Sequence, residues 1–356
     1  MTLVSEDMRA VVVAGDGTVG VERVAVPVPG PGELLVAMEA AGICGSDVHA
    51  VRGLHPFVPP PFRPGHEVTG TVRAGGAGTA TPAGRRVVVN PVLYCGHCRR
   101  CRQGLVNLCR EMAVFGCGTP AGGMAEYFVV PERNVVAAPD GLSPLQAALV
   151  EPLSTPVHAV RLAGPGLTGQ TVVILGAGTI GLMTLAVARR HGAARVVMTN
   201  RSAGKRELAL RLGADAAFDP REPGAIEAIR AALGGENADV VFDCVAVQDT
   251  VSQAFELVLK GGTVVVVGVP PRPVTVPLPN LQDRQVRLQG SAVYLPADYD
   301  ESIGLLADGV VRPADFVTAQ YPLEEAAGAF AAAASGQEIK VVLTPVDGQA
   351  PSATSR

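Results

Sequence analysis

Residues 171–188, TVVILGAGTIGLMTLAVA, restrict the fold of this chain more than any other segment. Eighteen residues pass without a charge, long enough to raise the question of a membrane span. The glycines argue against one. Gly176, Gly178 and Gly181 stand in the pattern G-x-G-x-x-G, after an apolar run and before a helical period. Gly176 permits a tight turn, Gly178 lets the backbone approach a pyrophosphate, and Gly181 lets helix and strand pack closely. Thr179 and Ile180 open the helix, whose first N–H groups suit phosphate oxygens. A plain glycine turn is the alternative. A second strand about twenty residues on, ARVVMTN, supplies the context a dinucleotide site requires.

The alternation continues beyond that turn. AGKRELALRLG reads as a helix, ADVVFDC as a strand, TVSQAFELVLKGG as a helix, TVVVVGV as a strand and VRLQGSAV as the last strand. Strands alternating with helices of ten to fifteen residues imply a parallel sheet covered on both faces. Before about Leu153 the pattern differs: RAVVVA, ELLVAMEAAGI, EVTGTVRAG, RRVVVN and MAEYFVVP are short strands broken by Gly and Pro, as in an irregular β-barrel. After about Leu295, DESIGLLADG and PLEEAAGAFAAAASG read as helices. A length of 356 residues fits two domains, each with its own core.

Four cysteines, Cys95, Cys98, Cys101 and Cys109, lie in CGHCRRCRQGLVNLC. Two C-x2-C steps and a fourth sulfur can wrap one tetrahedral zinc ion. Paired disulfides are the alternative, and they imply an oxidising compartment. His97 lies in the same stretch, but four sulfurs already fill the shell. A closed site of this kind explains stability, not chemistry. A second set offers chemistry: Cys44 in GICGSDVH, His66 and Glu67 in RPGHEVTG, and Glu151 in VEPLSTPVHA. A cysteine, a histidine and one or two carboxylates make a mixed zinc shell that keeps a position for water or substrate. Cys117 and Cys244 are left over as free buried thiols.

GHEVTGTV, the four-cysteine lobe, GGMAEYFVVP and LGAGTIG occur together in one order. From about Arg9 to about Pro345 the chain resembles the zinc-dependent medium-chain dehydrogenases/reductases, and Glu151-Pro152-Leu153 resembles the polyol, threonine and butanediol dehydrogenase branch. The resemblance implies an α/β fold with a GroES-like catalytic domain over residues 1–153 and 296–356. A Rossmann doubly wound domain is inserted over 154–295. It implies two zinc ions per chain: a structural one on the four cysteines, and a catalytic one on Cys44, His66 and a carboxylate, either Glu67 or Glu151. It further implies that Asp47 orients His66, that Ser46 contacts the reacting oxygen and that His49 relays the proton outward. Zinc would act as a Lewis acid in the interconversion of a secondary alcohol and a ketone. The segments around Val267, Gly268 and Val269 and around QGSAVYLP would run beside the nicotinamide.

The end of the second strand bears on the cofactor. NAD-specific relatives place an acidic residue there for the ribose hydroxyls. This chain has Asn200, then Arg201 and Ser202, with Lys205 in the next turn. A guanidinium can bond a phosphate through two parallel hydrogen bonds, so NADP is preferred and NAD remains possible.

The resemblance implies a small alcohol or ketone as substrate. The tyrosine that polyol dehydrogenases of this kind carry after the relay histidine is missing from AVRGLHPFVPPPF, where Arg52, Phe57 and Phe62 are the nearby candidates. That makes sorbitol itself a poor fit. A polyol, sugar or aminocyclitol-type substrate is the first expectation, and Tyr294 is either pocket lining or core. An NAD-dependent threonine- or butanediol-type dehydrogenase is the alternative. A non-catalytic NADPH-binding structural or sensor protein and a zinc-free quinone or enoyl reductase are rivals that typically lack the ligands present here.

A net charge of −4 with no basic run gives no case for nucleic acid or an anionic membrane. MTLVSEDMRA has two acidic residues and no apolar core, so no signal peptide is expected. Metal ligation and free thiols suit a reducing cytoplasm. The tail after Pro345 reads as a frayed end. His55, His158 and His191 receive no role. An apolar last strand near residues 286–293 would leave an open sheet edge, which points to a homodimer or homotetramer.

Overall fold

The computed structural model describes residues 7–345. Residues 1–6 and the tail after Pro345, read above as a frayed end, lie outside the described residues. Two compact units make up the chain. The first comprises residues up to Glu151 and from Arg312 onward, and the second runs from Pro152 to Val311.

The first unit is built on a seven-stranded sheet. Its spine is Glu33–Ile43, almost wholly buried. The length of this strand lets it take three antiparallel partners. Glu67–Gly75 runs along one edge. Tyr127–Pro131 takes the first half of the other edge and Lys340–Thr344 the last three residues. Arg86–Val89 and Val135–Ala137 extend the sheet beyond Glu67–Gly75, and Val317–Pro322 lies parallel to Lys340–Thr344. Leu34, Val36, Val72, Val87 and Phe128 share one core with Phe330 of helix Ala326–Ser335. Register then places the chemistry. Gly42 faces Glu67, and Ile43 faces Val341. Cys44 after the spine, His66 before its partner and Lys340 at the start of the C-terminal strand therefore emerge at one end of the sheet.

The second unit holds six parallel strands. In space they run Ala216–Phe218, Arg195–Thr199, Thr171–Leu175, Ala238–Asp243, Val258–Val266, Arg287–Gly290. Chain order reverses beside Thr171–Leu175, which marks the crevice where ligands bind in such sheets. Val173, Val197, Val241 and Val264 pack against Ile229 and Leu233 of helix Ala225–Leu233 and Phe255 of helix Gln248–Leu257. Burial on both faces explains the continuous apolar runs. The uncharged segment resolves into strand Thr171–Leu175 and helix Thr179–Arg190. Among the described residues no helix is long and apolar enough to cross a membrane.

The unit boundaries differ from those expected at 153/154 and 295/296. The chain leaves the first unit at Glu151 and returns only at Arg312. Helix Pro296–Ala307 stays with the second unit because polar contacts hold it there. Buried Asp298 lies 2.9 Å from His158 Nδ1 and 3.1 Å from Arg161 Nη1. Glu301 lies 2.6 Å from His191 Nε2 and 3.1 Å from Arg161 Nη2. Ser302 Oγ lies 3.1 Å from Ser154 Oγ. His158 and His191, without a role in the sequence reading, are thus anchors of this helix. The last strand is shorter than expected, ending at Gly290. Helix Gln248–Leu257 likewise stops before the LKGG it was read to include, and the next strand starts at Val258.

Candidate active site and metal centres

Cys44, His66 and Glu67 bring their ligand-capable atoms within 4.8 Å of one another. His66 and Glu67 are buried. Cys44 caps the short helix Gly45–Val51, which carries Asp47 on its first turn. Asp47 Oδ2 accepts the Cys44 N–H at 3.0 Å. Its other oxygen faces His66 Nδ1 at 3.6 Å, slightly beyond hydrogen-bond distance. Both atoms are buried without a hydrogen-bond partner among the described residues. A small approach of the ring would close that bond and leave Nε2 for a metal, the usual carboxylate–histidine arrangement.

The electrostatics call for a cation. Burial by itself pushes the His66 imidazole down, yet the charges of Asp47, Cys44 and Glu151 outweigh it and raise its pKa well above the ordinary value. Burial raises Asp47, opposed by His66. One imidazole among several groups that carry or can take negative charge is a site that a divalent ion would complete, and the thiol–imidazole–carboxylate donor set fits zinc.

Lys340 was not legible in the sequence. It is buried, donates to Glu67 Oε1 and Oε2 at 2.7 Å each, and reaches Ile43 O at 3.2 Å. Burial lowers its pKa, but Glu67, Cys44 and Glu151 raise it further, so it stays an ammonium. A lone lysine in the apolar run IKVVLT was the only available signal. Glu151 is buried in the first turn of helix Val150–Ala163 and lies outside the close trio. Ser46 and His49 are half-buried, one helical turn apart on Gly45–Val51.

The cysteine lobe has the dimensions of a tetrahedral site. Sulfur–sulfur distances are 3.5 Å for Cys98–Cys101, 3.6 Å for Cys95–Cys109, and 4.0 Å for Cys95–Cys101 and Cys98–Cys109. Zn–S arms of about 2.3 Å give tetrahedral edges of about 3.8 Å. Backbone N–H groups point at the sulfurs: Cys98 N to Cys95 Sγ at 3.3 Å, Cys95 N to Cys109 Sγ at 3.4 Å, Glu111 N to Cys109 Sγ at 3.3 Å. N–H donors from Cys101 and Arg110 lower Cys98 to about 6, whereas burial and the neighbouring thiol of Cys98 push Cys101 up to about 12. No disulfide forms; all seven cysteines are free. His97 is exposed, its ring 3.0 Å from Cys95 O.

In the second unit, Gly178 caps helix Thr179–Arg190 directly after strand Thr171–Leu175. Gly176 has φ 100°, and a Cβ on Gly181 would stand 1.8 Å from Gly176 O. The turn therefore presents bare backbone, the cradle a pyrophosphate needs. Asn200 ends the second strand, its side chain accepting Ser202 N at 2.9 Å, and Arg201 is exposed beside it. Lys205 is half-buried in the following helix Ala203–Arg211. Arg206, unremarked in the sequence, donates to Asn200 O at 2.8 Å and Arg201 O at 3.0 Å and lies 3.4 Å from Asp219. Asp219 is also paired with Arg221 at 2.7 Å. Hydrogen bonds from Arg221 hold its carboxyl well below the usual range, so this carboxylate is already ion-paired. Val267 and Gly268 donate to Asp243 O at 2.9 and 3.0 Å, and Val269 is exposed.

The substrate candidates scatter. Phe62 is core with Val13, Ala50 and Val58. Arg52 donates to Ala334 O. Phe57 is 81% exposed. Tyr294 is buried against the Tyr299 ring, 5.2 Å between centroids, and is core of the second unit.

Family models match both units: an alcohol dehydrogenase GroES-like domain over residues 30–140 and a zinc-binding dehydrogenase over 179–308. Sorbitol dehydrogenase of Gallus gallus is 35% identical over 342 residues, covering 94% of this chain and 95% of that protein. D-xylulose reductase A of Aspergillus oryzae is 32% identical over 323 residues, covering 88% and 90%. A zinc-binding dehydrogenase from Sinorhizobium meliloti 1021, solved bound to NADP, superposes with a TM-score of 0.89 at 37% identity, covering 96% of this chain and all of that one. The chain therefore belongs to the zinc-dependent medium-chain dehydrogenases of the polyol dehydrogenase branch, enzymes that interconvert alcohols and ketones with a nicotinamide cofactor.

Proposed function

We propose that this enzyme oxidises a secondary alcohol of a polyhydroxylated substrate, or reduces the matching ketone, with NADP(H) preferred over NAD(H). The observation that carries the chemistry is the meeting of half-buried Cys44 with buried His66 and Glu67 beside Asp47. Two zinc ions per chain are proposed, one on Cys95, Cys98, Cys101 and Cys109, and one on Cys44, His66 and a carboxylate. Lys340 already holds Glu67 through both oxygens, so Glu151 is the carboxylate proposed to face the catalytic ion, directly or through water. When bound, zinc would supply a Lewis acid for the substrate oxygen, and the nicotinamide would supply the hydride acceptor or donor. Asp47 orients the His66 ring. Ser46 takes the alcohol proton through its hydroxyl and passes it to His49.

The preference for NADP rests on Asn200 and Arg201 together with the pairing of Asp219. An acid at the strand end would repel a 2′-phosphate; here Asn200 is neutral and Asp219 is bound by two guanidiniums. The NADP bound to the Sinorhizobium meliloti relative agrees. A hydroxylated substrate fits relatives named for sorbitol and D-xylulose and the burial of Phe62 and Tyr294 in cores, which leaves few aromatics for a pocket. The strand Arg287–Gly290 ends its sheet with Leu288 partly exposed. Pairing of that edge with a second copy, giving a homodimer or homotetramer in the cytoplasm, completes the proposal.

The test is a panel of polyols, sugars, diols and amino alcohols with zinc-loaded protein, each with NADP and NAD at equal concentration. A kcat/KM at least about tenfold higher with NADP, about 1.4 kcal/mol of transition-state preference, supports the reading. A preference for NAD overturns the cofactor assignment, and turnover confined to simple alcohols overturns the substrate class.

A further inference from the structure

His97 lies inside the cysteine lobe but outside its four-sulfur site. Its Nδ1 stands 3.0 Å from Cys95 O. A carbonyl oxygen only accepts, so Nδ1 carries the proton and, in the neutral ring, Nε2 keeps its lone pair. Metal-binding histidines are commonly set in this way, one nitrogen donating to a backbone carbonyl and the other facing the ion. Here Nε2 faces Glu111 Oε1 at 3.9 Å, too far for a hydrogen bond. Ligand-capable atoms of Cys95, His97 and Glu111 all lie within 4.8 Å of one another.

The lobe holds these groups in place. Cys95 and His97 share a turn in which Gly96 has φ 77°, and Arg102 donates to His97 O. Glu111 N donates to Cys109 Sγ at 3.3 Å, which ties Glu111 to the last cysteine. Two nitrogen or oxygen ligands on arms of about 2.0–2.1 Å around a tetrahedral ion stand about 3.4 Å apart. The imidazole and carboxylate therefore need to close by only about half an ångström. Arg110 Nη2 pairs with Glu111 Oε1 at 2.8 Å, but both side chains are exposed, and a pair in water yields readily to a divalent ion. Charge points the same way. Four thiolates on one divalent ion leave an excess of negative charge on the sulfurs, and a thiolate has lone pairs to spare for a second ion.

We propose that Cys95, His97 and Glu111 bind a further, exchangeable divalent ion of the zinc type, with the Cys95 sulfur shared between it and the structural ion. Thiolate and imidazole select such an ion over magnesium or calcium. The ion clasps the two ends of the lobe, because Cys95 is its first cysteine and Glu111 follows its last. Free zinc thereby stabilises the fold. The inference rests on the reading of a structural ion on the four cysteines.

The test takes the full-length protein with its resident zinc, and its His97→Ala and Glu111→Gln variants. Equilibrium dialysis against rising free Zn2+ in the micromolar range counts ions per chain. Wild type takes up one zinc beyond those it retains on a chelating resin, and its melting temperature rises with free zinc. Each variant weakens that uptake at least about tenfold and loses the rise. Each keeps the resident zinc and the wild-type melting temperature without added metal. Co2+ offered to the zinc-loaded wild type gives a thiolate-to-cobalt charge-transfer band with no zinc released. Absence of a further ion, or equal uptake by all three proteins, overturns the proposal. So does cobalt binding without the band, which shows that Cys95 is not shared. A band that appears only as zinc leaves overturns it too, because cobalt has then exchanged into an existing site. Resident zinc that does not fall in Cys101→Ser would instead remove the structural ion, and this inference with it.

Discussion

Lys340 Nζ stands 2.7 Å from both carboxylate oxygens of Glu67, 273 residues away in the chain, with both side chains buried. Two charges taken out of water hold each other, and removal of one strands the other. Lys340→Ala is expected to destabilise the fold by about 3–5 kcal/mol. The double variant Lys340→Ala with Glu67→Ala should recover part of that loss, because it leaves no uncompensated charge. Denaturant unfolding of the three proteins measures it, and a double variant less stable than Lys340→Ala would sink the idea.

Gly42 lies opposite Glu67 in the sheet, and a Cβ there would stand 2.0 Å from Glu67 Oε2. Gly42→Ala must therefore move the carboxylate off Lys340. A loss of about 1–3 kcal/mol from overpacking is expected. Thermal unfolding measures it.

The cysteine lobe should behave as a separable metal site. Cys101→Ser removes one corner of the sulfur tetrahedron, so bound zinc should fall from two ions to one per chain. The melting temperature should drop with it, since a structural ion contributes folding energy directly. Unchanged zinc content would contradict the assignment of these four sulfurs.

Arg201→Ala should lower kcat/KM with NADP about tenfold and leave NAD within about two-fold, as expected for loss of a phosphate-binding guanidinium. Equal losses with both cofactors would mean that Arg201 serves the backbone turn and not a phosphate.

Asp219 should contribute to acid stability. Its folded pKa is depressed below the ordinary 3.8 by hydrogen bonds from Arg221. The unfolded chain therefore takes up this proton first as pH falls. The contribution is fully present above about pH 4, where the unfolded carboxyl is ionised, and is lost as pH falls through the folded value. Asp219→Asn should be less stable than wild type at pH 6, and the gap should narrow below about pH 4. A gap that does not change with pH would exclude this pairing as its source.

Much of the molecule was legible because its signals are local. G-x-G-x-x-G, the four cysteines and the Asn200–Arg201 turn each lie within a short stretch, so backbone geometry and ligand spacing constrain them directly. Lys340 and Arg206 escaped because a lysine in a strand and an arginine in a first helical turn are ordinary until partners arrive. The return of the chain at Arg312 escaped for a similar reason. His158 and Asp298, 140 residues apart, hold helix Pro296–Ala307 to the second unit, and no local pattern encodes that contact. The substrate-side aromatics were named as candidates, yet Phe62 and Tyr294 turned out to be core, since apolar side chains in a loop read alike whether they meet substrate or each other.

The sequence by itself determined the alternation that makes a parallel sheet, the glycine turn, the cysteine lobe and the identity of the residues that could hold a metal. These follow from periodicity, glycine geometry and the chemistry of sulfur and imidazole. Only the tertiary structure decided which of these residues meet and what neutralises them. Strand register set Gly42 against Glu67 and brought Lys340 to the same sheet end. Burial made a single ammonium the partner of that carboxylate. Register and burial are properties of contacts between distant segments, and a chain read in order does not contain them.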